Sequence, residues 1–335
     1  VKIMTTYKEI RGTNIEVLTS DPSNAVSGQV WYNSTSNVVK GFYIDPGSWA
    51  TGGNMNAGRN QNAGVGPMTA ALAFGRDSSD STGKTEAYNG TNWTAKNNMN
   101  TSRASLGGAG TQTAALGYGG EPGGGSVDNT ELWNGTNWTE LGGDLNTVKK
   151  SVGSAGTSTA ALAFGGDQDG GGVGPVNINA TETWNGTSWT EVNNLNTARD
   201  AMGSAGATNT AALAFGGNTS PPPVTAITES WNGTNWTEIA DLNTARNNLG
   251  GNGTQTSALA YGGGTAPPFT RLAITESWNG SSWSEVNDLP VAGSAGGSAG
   301  ANNTDALSFA QTQPNNNPAT FEWTAGPATL TFTDS

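Results

Sequence analysis

Histidine and cysteine are both missing from this chain. Without histidine, a Ser-His-Asp or Cys-His nucleophilic arrangement is excluded, and so are imidazole and thiolate metal sites. Without cysteine there is no disulfide framework, so stability has to come from burial and backbone pairing. Charge is sparse and one-sided: 14 Lys and Arg against 26 Asp and Glu give a net charge of −12, with no basic cluster. Nucleic acid and anionic membranes are therefore poor partners. No run of 18 apolar residues is present, which excludes an ordinary transmembrane helix and membrane insertion by that route. The first residues show no signal-peptide pattern, and the expectation is that one is absent or already removed. Apolar residues are also scarce at 34%, and 50 residues are Gly, a balance that would suit disorder but for 12 regularly placed Trp.

That regularity is the main content of the sequence. From Thr228 the chain reads TESWNGTNWTEIADLNTARNNLGGNGTQTSALAYGG, and the phrase recurs with small edits. Its second Trp falls at Trp93, Trp138, Trp189, Trp236 and Trp283, in steps of 45, 51, 47 and 47 residues. Within the unit 242–285 four strand-like pieces fit, running through Leu249 towards Gly253, then over 256–261, 273–278 and 282–286. Asn-Gly pairs at 89–90, 134–135, 185–186, 232–233 and 279–280 separate the last two pieces and suit a tight hairpin. In the second piece Ala211, Leu213 and Phe215 share one face and Ala212 and Ala214 the other, so both faces are apolar, as in a strand sandwiched between neighbouring sheets. Four short antiparallel strands per period make a propeller blade. Second strands ending at Phe74, Tyr118, Phe164, Phe215, Tyr261 and Phe309 predict six blades over residues 46–335, in an all-β fold. The ring closes through the C-terminal strand or the segment around Trp49.

Each period also carries a Glu on its third strand, Glu86, Glu131, Glu182, Glu229 and Glu276, and an Arg read on its first, Arg59, Arg103, Arg199 and Arg246. Lys149 replaces the Arg in one unit and Gly293 lies near its place in another, while the last unit keeps Glu322-Trp323. The favoured account is a bidentate Arg–carboxylate pair between blades that fixes their register, with Trp138, Trp189, Trp236 and Trp283 filling the interblade core.

The set Ala214-Phe215-Gly216-Gly217, Glu229, Trp231, Trp236 and Arg246 resembles the Kelch repeat over about residues 50 to 325, and Kelch repeats form β-propellers. Residues 1–45 do not repeat. Their Ser27-Gly28-Gln29-Val30-Trp31-Tyr32-Asn33-Ser34 phrase resembles a segment of bacteriophage tail and fibre proteins, and the NGTNWTE repeats resemble structural proteins of marine phages. The resemblance implies a virion protein: 1–45 attach to other virion proteins, and the propeller binds a host-surface receptor, a glycan among the candidates. A receptor-free capsid or tail decoration protein and a free propeller lectin are the alternatives.

Enzymatic readings fare poorly. Kelch-type galactose oxidases need His and a Cys–Tyr cross-link, sialidase Asp-boxes are absent, and the prominent Glu residues repeat whereas a catalytic centre is normally unique. The expectation is no enzyme, no cofactor and no metal, although Asp241, Asp288 and the stretch Asp167-Gln168-Asp169-Gly170 offer weak oxygen-ligand patterns for Ca²⁺. The Asn-x-Thr sequons are explained by the turns themselves. Fungal fucose-binding propellers use Arg, Glu and Trp between blades, and these residue types repeat here. Contact with a receptor is expected instead on the loops between second and third strands, which vary where the Asn-Gly turns do not. Glu121, Asp167, Asp169, Pro222, Phe269 and Arg271 are the candidates there.

Overall fold

The computed structural model describes residues 15–76, 82–123, 125–169, 175–219, 224–265, 268–294, 296–311 and 317–332. Two units are present, Gly47–Thr324 and a smaller one made of Val1–Pro46 with Ala325–Ser335.

The larger unit is a six-bladed β-propeller. Blade 4 is typical: Gly203–Thr208, Ala211–Phe215, Thr228–Trp231 and Trp236–Ile239 pair antiparallel in that order. Blade 1 begins at Ala63–Val65, blade 2 at Gly107–Thr111, blade 3 at Gly153–Thr157, blade 5 at Gly250–Thr254 and blade 6 at Gly297–Asn302. Gly runs through all six innermost strands because these converge on the axis. A Cβ on Gly251, for instance, would stand 2.6 Å from the Phe215 ring of blade 4.

Ring closure uses both candidate segments. The C-terminal strand Thr320–Phe332 supplies, in its first residues, the third strand of blade 6, and the Gly47–Thr51 end of Val38–Thr51 lies outside it. Trp49 thereby becomes the sixth copy of the fourth-strand Trp. Each such indole donates to the Thr that opens the third strand of the preceding blade. Trp138 reaches Thr85, Trp189 Thr130, Trp236 Thr181, Trp283 Thr228, Trp49 Thr275 and Trp93 Thr320, at 2.9–3.2 Å. Each also packs against the aromatic ending the second strand of that blade, as Trp236 does on Phe164 at 4.8 Å and Trp49 on Tyr261 at 4.9 Å.

A second belt runs near the axis. Gln61, Ser105, Ser151, Ala201 and Asn248 all hold left-handed backbone, with φ between 50° and 55°. Ser105 donates its N–H to Gln61, Ser151 to Ser105, Ala201 to Ser151 and Asn248 to Ala201, carbonyl to amide from blade to blade. Left-handed backbone is unfavourable for a non-Gly residue, and it persists here because each amide meets its neighbour.

The Asn-Gly hairpins are wider than two residues. Tyr88 pairs with Trp93, so the loop spans four residues, and the Asn89 side chain accepts the N–H groups of Thr91 and Asn92 at 3.0 and 2.8 Å. The Asn acts through its side chain as much as through its backbone.

In the smaller unit Glu16–Leu18 runs parallel to Val30–Asn33, which pairs antiparallel with the start of Val38–Thr51. The phrase noted in the sequence converges on Asp21. Trp31 and Asn33 donate to one of its oxygens, and Lys40 reaches the other at 2.7 Å. The bonds from Lys40 and Asn33 hold the Asp21 carboxyl down at about 2.

Candidate functional site

The repeated Arg, Glu and Trp residues are consumed by the architecture. In blade 4 the Arg199 guanidinium reaches Glu229 at 3.1 Å through one nitrogen and donates through the other to the carbonyls of Gly216 and Ile227. The second oxygen of Glu229 accepts both the backbone and the side-chain N–H of Asn196 at 2.8 Å. The same set recurs around Arg103 and Glu131 at 3.0 Å, Arg246 and Glu276 at 3.1 Å, Arg59 and Glu86 at 3.4 Å, and Lys149 and Glu182 at 2.8 Å. These pairs differ from the sequence reading in three respects. Each cation stands in the linker before the first strand, the contact is through one nitrogen, and it ties that linker to its own blade. Burial pulls the Arg199 and Arg246 guanidinium groups down to about 10, against the pull of Glu229 and Glu276. Arg103, Arg199, Arg246 and their Glu partners have no solvent exposure, and Trp138, Trp189, Trp236 and Trp283 are buried, so these residue sets open no interblade sugar pocket.

Blade 6 departs from the pattern. Register pairs Ser308 with Phe321 and Leu307 with Glu322, so Phe321 occupies the place of the repeated Glu, and Glu322 the adjoining outward position. Glu322 accepts a hydrogen bond from the Tyr88 hydroxyl of blade 1. Burial, with the added effect of Glu322, pushes Tyr88 up to about 12.

Three of the variable-loop candidates come together. In the loop of blade 3, Asp167–Asp169 pairs with Pro175–Asn177 as a small hairpin that the sequence did not announce. Lys150 lies at its centre, 2.8 Å from Glu121 of blade 2, 3.2 Å from Asp169 and 3.9 Å from Asp167. Ser126 of blade 2 donates its N–H and hydroxyl to Asp169. Lys150 was missed by sequence reasoning, although Lys149-Lys150 is the one Lys doublet of the chain. Asp167 is only 4% exposed, and burial together with Asp200 raises its carboxyl to about 6. Burial opposes ionisation of Asp169 too, but the bonds from Lys150 and Ser126 outweigh it and hold that carboxyl below its ordinary value.

Phe269 and Arg271 lie apart from this cluster, on the loop of blade 5, where Gly264–Thr265 pairs with Thr270–Arg271. The Phe269 ring is 47% exposed, with the Arg271 guanidinium 5.8 Å from its centre. Such a cation–aromatic pair presents a flat, partly charged surface to a ligand. Pro222 lies outside the described residues.

A concavity also lies on the axis, a channel of about 430 Å³ walled by the innermost strands of all six blades. Its described lining is Gly, Ala, Ser, Thr, Asn, Pro, Met and aliphatic residues and carries no ionisable side chain. Among the described residues no group of three Asp or Glu is placed to hold a metal ion.

Neither a family model nor a curated protein matches the sequence. Among solved structures that of YjhT is similar, with a TM-score of 0.66 at 11% identity over 84% of this chain and 97% of that one. The likeness is one of fold. With 286 solved chains matching, the architecture by itself selects no activity.

Proposed function

We propose that this chain is a non-enzymatic bacteriophage virion protein, a Kelch-type propeller head that binds a host-surface receptor through its second-to-third-strand loops. The observation that carries the reading is the contrast between the two ends of the blades. The Asn-Gly loops repeat one hydrogen-bonded form five times, whereas the opposite loops differ in length and composition and present Phe269, Arg271, Glu121 and Asp169. A constant scaffold with one varied rim suits recognition. The lack of acid–base groups along the described channel wall favours binding over catalysis. Virion origin rests on the sequence resemblances alone, with residues 1–45 as the attachment segment. A receptor-free decoration protein is the competing reading.

The test is binding of the labelled full chain to candidate bacterial cells, with phage adsorption as the competition readout. Saturable binding that blocks adsorption, and that is lost in Phe269→Ala/Arg271→Ala, is the expected result. A folded chain that binds none of the hosts its phage infects would move the assignment to decoration.

A further inference from the structure

The varied rim is electrically divided. By sequence, the second-to-third-strand loops of blades 1 to 3 hold Asp77, Asp80, Glu121, Asp128, Asp167 and Asp169. The corresponding segments of blades 4 to 6, residues 218–226, 264–272 and 311–319, hold no Asp or Glu, in a chain that has 26 of them. Their one charged residue is Arg271. At the ends of the fourth strands of blades 4 and 5, Asp241 and Asp288 are taken up as acceptors of the Thr228 and Thr275 N–H groups, at 3.0 and 3.1 Å.

Arg271 also differs from the other cations around it. On the acidic half Lys150 is neutralised by Glu121 and Asp169, and the linker residues Arg199 and Arg246 are buried against Glu229 and Glu276. Arg271 is exposed and has no ion pair among the described residues. Its neighbour is held in place. Gly264 and Asn247 exchange backbone hydrogen bonds at 2.9 and 3.0 Å, which seats the hairpin on the linker between blades 4 and 5. The Thr270 hydroxyl donates to the Pro268 carbonyl at 3.3 Å. The Phe269 ring covers Gly264, where a Cβ would collide with it, and stays half exposed beside the guanidinium.

We infer that Phe269 and Arg271 take a carboxylated sugar, a uronic acid residue of an acidic polysaccharide, with the sugar face on the Phe269 ring and the carboxylate on Arg271. The inference deepens the receptor reading and rests on it for the source of the sugar. A uronate carries its carboxylate directly on the pyranose ring, so its apolar face and its charge lie side by side, as the ring and the guanidinium do here. A planar guanidinium matches a planar carboxylate through paired N–H donors, and an aromatic face receives the C–H face of a sugar. The acidic chain does not forbid this. Its net charge of −12 disfavours dense polyanions, but that field is screened beyond about 8 Å at physiological salt, and contact at Arg271 is decided by the charge of its own loop.

The experiment is calorimetric titration of the full chain with oligogalacturonate, oligoglucuronate and oligomannuronate, and with the methyl ester of each, which keeps the rings and removes the charge. It is repeated on Arg271→Gln, Arg271→Lys and Phe269→Ala, with thermal melting to confirm folding. The expected result is saturable binding of at least one oligouronate, weakened about tenfold or more by esterification, by Arg271→Gln and by Phe269→Ala. Arg271→Lys restores only part of it, and added NaCl weakens it. No saturation by any of the three acids overturns the inference, as does binding that esterification or Arg271→Gln leaves unchanged. The cell-binding assay separates this failure from that of the receptor reading. Cells bound through Phe269 and Arg271 without any oligouronate binding would remove the sugar assignment and keep the receptor. Oligouronate binding without cell binding would keep the site and remove the receptor.

Discussion

Blades 1 to 5 and blade 6 meet the same packing problem with different chemistry. In the first five, a buried cation, a buried Glu and a linker Asn form one bonded set, as Arg199, Glu229 and Asn196 do in blade 4. In blade 6 all three members are exchanged together: Pro290 stands in place of the Asn, Gly293 in place of the Arg and Phe321 in place of the Glu. The Gln311 side chain fills the space beside Gly293, and its amide donates to Ser308 at 2.6 Å. No blade keeps half of the set. A buried charge stripped of its partner is far more costly than a pair removed whole, so the set is kept intact or abandoned entirely.

Breaking one set tests this most severely. Arg199→Ala leaves Glu229 buried beside Asn196 without its counter-charge, and a loss of about 3–5 kcal/mol in urea unfolding is expected. A loss below about 1 kcal/mol would mean that the pair contributes nothing to the ring. Removing both charges imitates blade 6. Arg199→Met with Glu229→Leu should lose at least about 1 kcal/mol less than Arg199→Ala, a coupling that a double-mutant cycle reads directly. Additive losses would sink the comparison.

The blade count was legible because Trp and the apolar second strands recur at whole-blade spacing, and Trp49 was legible as one of two closure candidates. The exchange in blade 6 was not. Thr320-Phe321-Glu322-Trp323 contains a Glu beside a Trp, as the other blades do, but shifted by one residue. In a strand such a shift moves a side chain to the opposite face, so the match of letters concealed a change of environment. The Arg residues were set on first strands because composition does not mark where an extended linker ends and a Gly-rich strand begins. Lys150 was invisible for another reason. What it touches depends on loops of neighbouring blades that only the folded ring brings together.

An incomplete set sharpens the comparison further. Asp167 is buried like Glu229, but one of its oxygens has no hydrogen-bond partner among the described residues and Lys150 stands 3.9 Å from the other. Its carboxyl, raised to about 6 by burial and by Asp200, binds a proton more readily in the folded state than in the unfolded chain, where the value is 3.8. The folded state therefore loses stability as pH rises from about 4 through 6. Asp167→Asn should gain about 1–2 kcal/mol at pH 7 and nothing at pH 4, as followed by urea unfolding at both pH values. Asp200, Asp169, Glu121 and Lys150 remain around the site in both proteins, so the difference between parent and variant isolates Asp167. A gain that persists at pH 4 would point to packing and not to charge.

The smallest effect concerns the seam. The clasp from Trp49 to Thr275 joins residues 226 positions apart, and the clasp from Trp236 to Thr181 joins residues 55 apart, yet the two bonds measure 3.0 and 3.1 Å. Thr275→Val and Thr181→Val each remove one hydroxyl acceptor at nearly constant volume, and each should cost about 1 kcal/mol at equilibrium. The kinetics should separate them. Closing the seam requires the two ends of the propeller to meet, a long-range event that carries the largest loop-closure entropy in the ring. If the seam is the last contact to form, Thr275→Val speeds unfolding with folding unchanged, whereas Thr181→Val, within contiguous blades, also slows folding. Equal partition of both losses between the two rates would show that the ring closes before its blades are assembled.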